Sequence, residues 1–383
     1  MTTIDRRAML RAMLGAGVMP VGLASLISDP VKSAPQTLGA GFNLAEASDL
    51  LYMCDQLYGR PSDSKQPSVP MPNDFNWVPI FTSPDLFPLG EKWQLWQNNA
   101  IYSTYAIIVR GTGKSFGSVL EDFISFLAPA TGAVTVAGVT IPYKFAADAK
   151  ASVHVGFALG TLLLLKSPIV GILAQLAAKV PPGSNIYIAG HSQGAGVAPL
   201  LRSYLYYGAD RPTNNYFYKT YAFAQPKPAN DHYATDFGSL FCNTGLAFRL
   251  TNSLDPVPEL PFTIEVPADV NNFPFKQTDV GSSILTTLNT LQSQADKAIV
   301  TKVTADLRGT AVALARTVNP GVADVPFTIP IVPSLYFVGA ATEIAVIGTP
   351  CIPNQCNPQD PKDRLWQHHA ATYYSLMQAQ LDN

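Results

Sequence analysis

The apolar run Asn185-Ile186-Tyr187-Ile188-Ala189 leads without a break into Gly190-His191-Ser192-Gln193-Gly194, and an amphipathic pattern follows at once. No other stretch narrows the choice of fold so far. Gly-x-Ser-x-Gly alone is a weak signal: at roughly 7% usage each for Gly and Ser, a chain of this length meets it by chance about one time in eight. The context makes it strong. Val197, Leu200, Leu201, Tyr204 and Leu205 recur at helical spacing, and Gly208 marks a stop. Strand, glycine-flanked serine and helix, in that order, form a sharp turn that lifts a serine hydroxyl to the edge of a sheet. Side chains in place of the glycines would meet the neighbouring strand and helix. Ser192 is therefore the expected nucleophile.

Three further apolar runs read as strands: 105–110, 219–223 and 248–251. The first is continuous rather than alternating, as in a strand covered on both faces. Phe116, Val119, Leu120, Phe123, Ile124 and Leu127 keep helical spacing between strands. Alternating strands and helices predict an α/β fold, with a mainly parallel central sheet flanked by helices. Such sheets carry their sites beyond the carboxyl ends of the strands. Two segments depart from this rhythm. Phe157 to Val180 is apolar enough to be mistaken for a membrane span, but Lys166, Ser167 and Pro168 interrupt it, and it reads as a buried helix. Ser282 to Arg316 reads as one or two amphipathic helices, with Gly309 as the candidate break. Residues 264–325 thus form a helical insertion, which fits a cap over the site and an ordinary packed element equally well.

A serine at its free pKa is a poor nucleophile, so an imidazole must sit beside it and an acid must orient that imidazole. In the fold that carries such a turn the chain order is serine, acid, histidine. Of the five histidines, His232, His368 and His369 follow Ser192. His232 falls early in a helical stretch and reads as a surface residue. His368 and His369 stand just ahead of a final helical run, a workable place for the base. Asp255 closes the strand region in Thr251-Asn252-Ser253-Leu254-Asp255-Pro256-Val257-Pro258, where the prolines stiffen the loop. A plain turn residue before proline is the bland alternative. Asp231 and Asp236 are weaker rivals, each in a helical stretch. The oxyanion formed on attack needs donors already in place. The backbone N–H of Gln193 is one, and Thr112, after Arg110-Gly111, is placed to give its N–H and hydroxyl.

Only 14% of the residues are charged and the net charge is −2, while 47% are hydrophobic. That composition excludes a disordered chain and, lacking an excess of Lys and Arg, excludes nucleic acid as a partner. Arg6-Arg7 precede a run from Ala12 to Ser28 without a charge. Residues 1–34 read as a twin-arginine-type export signal, with a membrane anchor as the alternative, so that 35–383 would be periplasmic or secreted. Outside the cytoplasm the four cysteines can pair. Cys351 and Cys356 are close enough to close a small loop, leaving Cys54 with Cys242. Neither Cys-x-x-Cys nor His-x-x-x-His occurs, which argues against zinc. No metal or organic cofactor is implied.

Taken together these residues resemble the class 3 (fungal-type) lipases, a family with the α/β-hydrolase fold, from about residue 45 to the end. Arg110-Gly111-Thr112 resembles the family's oxyanion strand. Val153-His154-Val155-Gly156-Phe157 is similar to its V-H-x-G-F segment, which makes His154 structural. Gly190 to Gly194 resembles its serine turn, Tyr221 to Asn230 its segment after the third strand, Asn252 to Pro258 its acid loop, and Phe337 to Gly348 its late hairpin. The resemblance implies an acyl-ester hydrolase working through Ser192, Asp255 and a C-terminal histidine, with Thr112 and Gln193 as oxyanion hole. The family's threonine and tyrosine after the histidine match Thr372 and Tyr373, which favours His368 over His369. Gln193 departs from the commoner leucine, and the gap from Asp255 to His368 is wider than usual. The expectation is an exported triacylglycerol lipase acting on a lipid or other acyl ester at an interface. A phospholipase A1 or an aryl or polyester esterase would share the chemistry. A non-catalytic envelope binding protein would lack a member of the triad, and none is missing.

Overall fold

A computed structural model describes residues 38–59, 67–86, 90–110, 126–263, 279–350, 363 and 365–382. Residues 1–34, Thr112, the helical pattern from Phe116 to Ile124, and Cys351 and Cys356 lie outside them. Among the described residues, seven strands pair in the order β1 (Trp77–Thr82), β2 (Trp93–Asn98), β3 (Thr104–Val109), β8 (Asn185–His191), β9 (Phe217–Phe223), β10 (Ala247–Asn252) and β12 (Thr342–Val346). The pairs β1–β2 and β2–β3 are antiparallel. Every pair from β3 to β12 is parallel. The sheet is thus mainly parallel, as expected.

The reason lies in the side chains of β3 and β8, every one of which is buried. Tyr105, Ile107 and Val109 enter one apolar core, and Ala106 and Ile108 the other. A sheet apolar on both faces must be covered twice. Helices α1 (Leu44–Gln56) and α7 (Ala370–Leu381) bring Leu50, Leu51, Tyr373 and Met377 to the second core. Helices α2 (Val155–Lys166), α3 (Ile172–Lys179) and α4 (Gln193–Tyr207) bring Leu159, Leu162, Ile172, Leu176, Val197 and Leu201 to the first. A short α5 (Asp231–Phe237) and a long α6 (Asp279–Arg316) complete the described helices. Glu46 of α1 accepts hydrogen bonds from Tyr187 and Tyr221 and pairs with the buried Lys219 at 2.6 Å, which ties that helix to β8 and β9.

Several elements differ from the sequence reading. The apolar stretch 157–180 is two helices rather than one. Pro168 offers no N–H to a continuing helix, Ser167 Oγ turns back to the Leu163 carbonyl at 2.6 Å, and a Cβ at Gly171 would strike the Ser167 carbonyl. No described helix is long and apolar enough to cross a membrane. The segment 282–316 forms one continuous helix through Gly309. Burial of Leu307, Ala311, Val312, Leu314 and Ala315 outweighs the glycine's cost of about 1 kcal/mol. This half of α6 packs on α2 and on a small sheet of β5 (Thr131–Val136), β6 (Val139–Lys144) and β11 (Phe327–Thr328). The β5–β6 hairpin escaped the sequence reading because its turn is Ala137-Gly138, with φ of 47° and 80°, rather than a more telling pair such as Asn-Gly.

Leu127, expected in a helix, opens strand β4 (Leu127–Pro129), which pairs with β7 (Ser152–His154). The expected hairpin at 337–348 is instead a single strand, β12, laid parallel on β10. Cys54 and Cys242 are both free thiols. Cys54 lies in one core and Cys242 packs against the other, across the sheet, so the expected bridge between them does not form. Burial raises the pKa of each thiol.

Candidate active site

Parallel pairing sets Val109 of β3 beside Gly190 of β8, and Gly190 beside Ala222 of β9, so three strands end at one rim. Ser192 follows β8 directly and opens α4. Its backbone sits at φ 60° and ψ −129°, a conformation that L-residues rarely adopt. Its N–H donates to the Phe223 carbonyl at 3.0 Å, which pins the turn to β9. The glycines are required by space. A Cβ at Gly190 would meet the backbone of Gly194, and one at Gly194 would meet the backbone of Val109 and Arg110. A Cβ at Gly196 would lie 2.6 Å from the Phe157 ring. Gln193 is the first residue of α4, where a backbone N–H has no partner within its own helix. Its side chain donates to Glu91 Oε1 at 3.2 Å.

Asp255 lies three residues past the end of β10 and is buried. Its Oδ1 accepts the Val257 N–H at 3.0 Å, and its Oδ2 accepts from His368 Nδ1 at 2.8 Å and from the Tyr373 hydroxyl at 2.8 Å. His368 ends a 3₁₀ turn, Trp366–His368, just ahead of α7. Its Nε2 lies 2.8 Å from Ser192 Oγ. An ionised carboxylate can only accept, so Nδ1 carries the proton of the neutral ring. Nε2 is then the acceptor for the serine hydroxyl. The arrangement can draw a proton from Ser192 and hold the resulting imidazolium against a negative charge.

His369 is turned away: its Nε2 lies 3.1 Å from Asp363 Oδ2, and its carbonyl accepts the N–H groups of Thr372 and Tyr373 at the start of α7. His232 pairs with Asp148 at 2.9 Å, outside this rim. Asp236 accepts the Ala147 N–H and the Tyr207 hydroxyl, and Asp231 begins α5. His154 caps α2, accepting the Phe157 N–H at 3.3 Å and stacking on that ring at 3.9 Å.

Of the residues that hold the histidine loop, the sequence reading singles out Tyr373 and, as the start of the acid loop, Asn252, but not His191 or Tyr58. His191 Nε2 donates to the His368 carbonyl at 2.8 Å, and its Nδ1 faces the Tyr58 hydroxyl at 3.0 Å. Asn252 Nδ2 donates to the Gln367 carbonyl at 2.8 Å, and the Asn252 N–H donates to the Tyr373 hydroxyl at 3.1 Å. Burial, with Asp255 beside it, pushes the Tyr373 hydroxyl well above its ordinary pKa, so it remains a donor. The residue preceding the serine in the turn was the one available signal for His191. Tyr58 gave none.

Residues 106–265 match the family model for lipase (class 3). The chain resembles the class 3 lipase family over this segment. It is a lipolytic serine hydrolase acting on carboxylic esters, with the α/β-hydrolase fold. The match holds Ser192 and Asp255 and stops well before His368, short of the reach to the C-terminus that the motifs suggested. No curated protein matches the chain. Among solved structures it is similar to a lipase from Rhizopus microsporus var. chinensis, at 21% identity, covering 61% of this chain and 75% of that one, with a TM-score of 0.40. It is also similar to lipase II from Rhizopus niveus, at 17% identity, covering 58% and 77%, with a TM-score of 0.39. A Rhizomucor miehei lipase–propeptide complex is similar at 19% identity, covering 68% and 76%, with a TM-score of 0.39.

Proposed function

We propose that this enzyme cleaves triacylglycerols through Ser192, His368 and Asp255. The observation that carries the reading is the file of contacts from Ser192 Oγ to His368 Nε2 and from His368 Nδ1 to Asp255 Oδ2, each 2.8 Å. Ser192 Oγ attacks the ester carbonyl while His368 takes its proton. The tetrahedral oxyanion is met by the Gln193 N–H and by Thr112, two residues past Arg110 where β3 reaches the serine turn. Collapse expels the alcohol with the proton from His368, leaving an acyl-serine. Water, deprotonated by the same imidazole, releases the fatty acid. Asp255 keeps the ring oriented and offsets its charge in both halves.

Three large apolar side chains favour a long-chain substrate. Leu254 and Phe262 are exposed on the segment that carries Asp255. Ile347 is exposed beside it, where the Gly348 N–H donates to Ser253 Oγ at 3.0 Å. Together they give the rim an apolar edge suited to acyl chains. Residues 1–34 are proposed to export the enzyme to its substrate.

The test combines organophosphate labelling with a chain-length series. Label on Ser192, and hydrolysis of long-chain triacylglycerol emulsions faster than of dissolved short esters, is the expected result. Long-chain activity that persists in Ser192→Ala would refute the mechanism. Preference for short or aromatic esters, with no response to an oil surface, would assign the same chemistry to a carboxylesterase.

A further inference from the structure

A cleft of about 840 Å³ opens at the C-terminal end of α4, lined by Lys144, Arg202 and Arg211 together with Tyr206, Tyr216 and Tyr218, and by no acidic side chain. Arg202 sets its chemistry. It is only 9% exposed, and its Nε is buried with no hydrogen-bond partner. Two rings hold it: the guanidinium carbon lies 3.9 Å from the centre of Phe241 and 4.9 Å from that of Tyr218. Cation–π contact favours such a charge but does not satisfy its N–H groups. Burial lowers its pKa to about 10, which still leaves it charged at neutral pH. The nearby carboxylates are engaged elsewhere, Asp210 with Lys166 and Tyr204, and Asp236 with Tyr207 and the Ala147 N–H.

A buried ion without a counter-ion is costly to a fold, and a guanidinium clamped by rings presents its planar fork of donors edge-on. That fork suits an oxyanion. Two further cations stand at the same cleft. Lys144 Nζ lies 5.2 Å over the Tyr207 ring, and the exposed Arg211 donates one N–H to the Gly208 carbonyl at 3.1 Å. Three positive charges converging on one space match a phosphate better than a singly charged carboxylate. At 1.5 Å of rise per residue, Arg202 lies about 15 Å along α4 from Ser192. This is therefore a second site, and it does not depend on the role given to Ser192.

We propose that this cleft binds a phosphate group, with Arg202 as its deep donor and Lys144 and Arg211 at its mouth. The phosphate comes either free in solution or on the headgroup of an anionic lipid. The full chain would be titrated calorimetrically with inorganic phosphate at constant ionic strength, with chloride as control. In parallel it would be sedimented with phosphatidylglycerol and with phosphatidylcholine vesicles. Saturable phosphate binding is expected, weakened at least 10-fold in Arg202→Met and severalfold in Arg211→Gln, with short-ester hydrolysis unchanged in both. Phosphatidylglycerol binding that falls with the same variants identifies a lipid source. Phosphate binding without vesicle preference identifies a soluble one. Should Arg202→Met fail to fold, Arg211→Gln, at an exposed position, still decides: phosphate must raise the Tm of the wild type more than that of the variant. Absence of saturable binding, or equal binding by wild type and variants, overturns the proposal.

Discussion

The backbone of Ser192 makes a sharp test of how the serine turn is held. At φ 60° and ψ −129° a side chain is strained, by about 1–3 kcal/mol for a residue forced into so sparse a region. Ser192→Ala keeps the Cβ and its strain and loses only the hydroxyl contact to His368. Ser192→Gly loses the hydroxyl as well but relieves the strain, at an entropic cost of about 0.4–1 kcal/mol from a freer unfolded chain. The lost hydrogen bond is common to both variants and cancels in the difference. Glycine should therefore be the more stable of the two by about 1–2 kcal/mol. An unfolding entropy near 2.1 cal/mol/K per residue is roughly 0.7 kcal/mol/K for a domain of about 350 residues, so the gap corresponds to roughly 1.5–3 °C in Tm. The assay is calorimetry or urea unfolding of the two variants side by side, both of which should lose about 10⁶-fold in turnover. A glycine variant no more stable than the alanine variant would refute the argument that the rim stores strain under the serine.

Three further outcomes follow from the geometry. His368→Ala should cut ester hydrolysis by about 10⁴-fold or more, whereas His369→Ala should stay within about 10-fold of wild type; kinetics on one soluble ester decide, and the reverse ranking would transfer the base to His369. Tyr373→Phe removes a donor from Asp255 and the acceptor of the Asn252 N–H. A loss of about 1.5–3 kcal/mol in stability is expected. Urea unfolding reads the loss, and a variant as stable as the wild type would count against the pairing. Asp49, which accepts the Trp77 indole N–H at 2.9 Å, is raised by burial from 3.8 to about 6. Its folded form holds a proton that the unfolded chain releases, so its contribution is greatest below pH 4 and is lost as pH rises through about 6. Asp49→Asn should then gain up to about 2 kcal/mol at pH 8 and nothing at pH 4; equal effects at both pH values would contradict the shift.

The parts of this protein legible in the sequence are those whose physical cause is local. Glycines at 190 and 194 answer to clashes with backbone a few residues away or one strand over. The strands β3, β8, β9 and β10 announce themselves because each carries an apolar run, unbroken in β3, which is covered on both faces. Antiparallel β1, exposed or half-buried at every position after Trp77, and β2, half-buried at Gln94 and Gln97, lack that signature. The turn at Ala137-Gly138 went unread: its positive φ values are imposed by the strands it joins.

What the order of residues determined alone was the serine turn and the sheet that presents it, since strand, bend and helix are contiguous in the chain. Which of two adjacent histidines meets Ser192 was decided only in three dimensions. His368 and Asp255 are 113 residues apart. His191, Asn252 and Tyr373, from three separate elements, fix the loop that turns one ring toward the serine and leaves the other with Asp363. The isolation of Arg202 is tertiary for the same reason. A charge on a helix becomes a buried, unanswered one only after the rings of Tyr218 and Phe241 close around it and the nearby carboxylates have taken other partners.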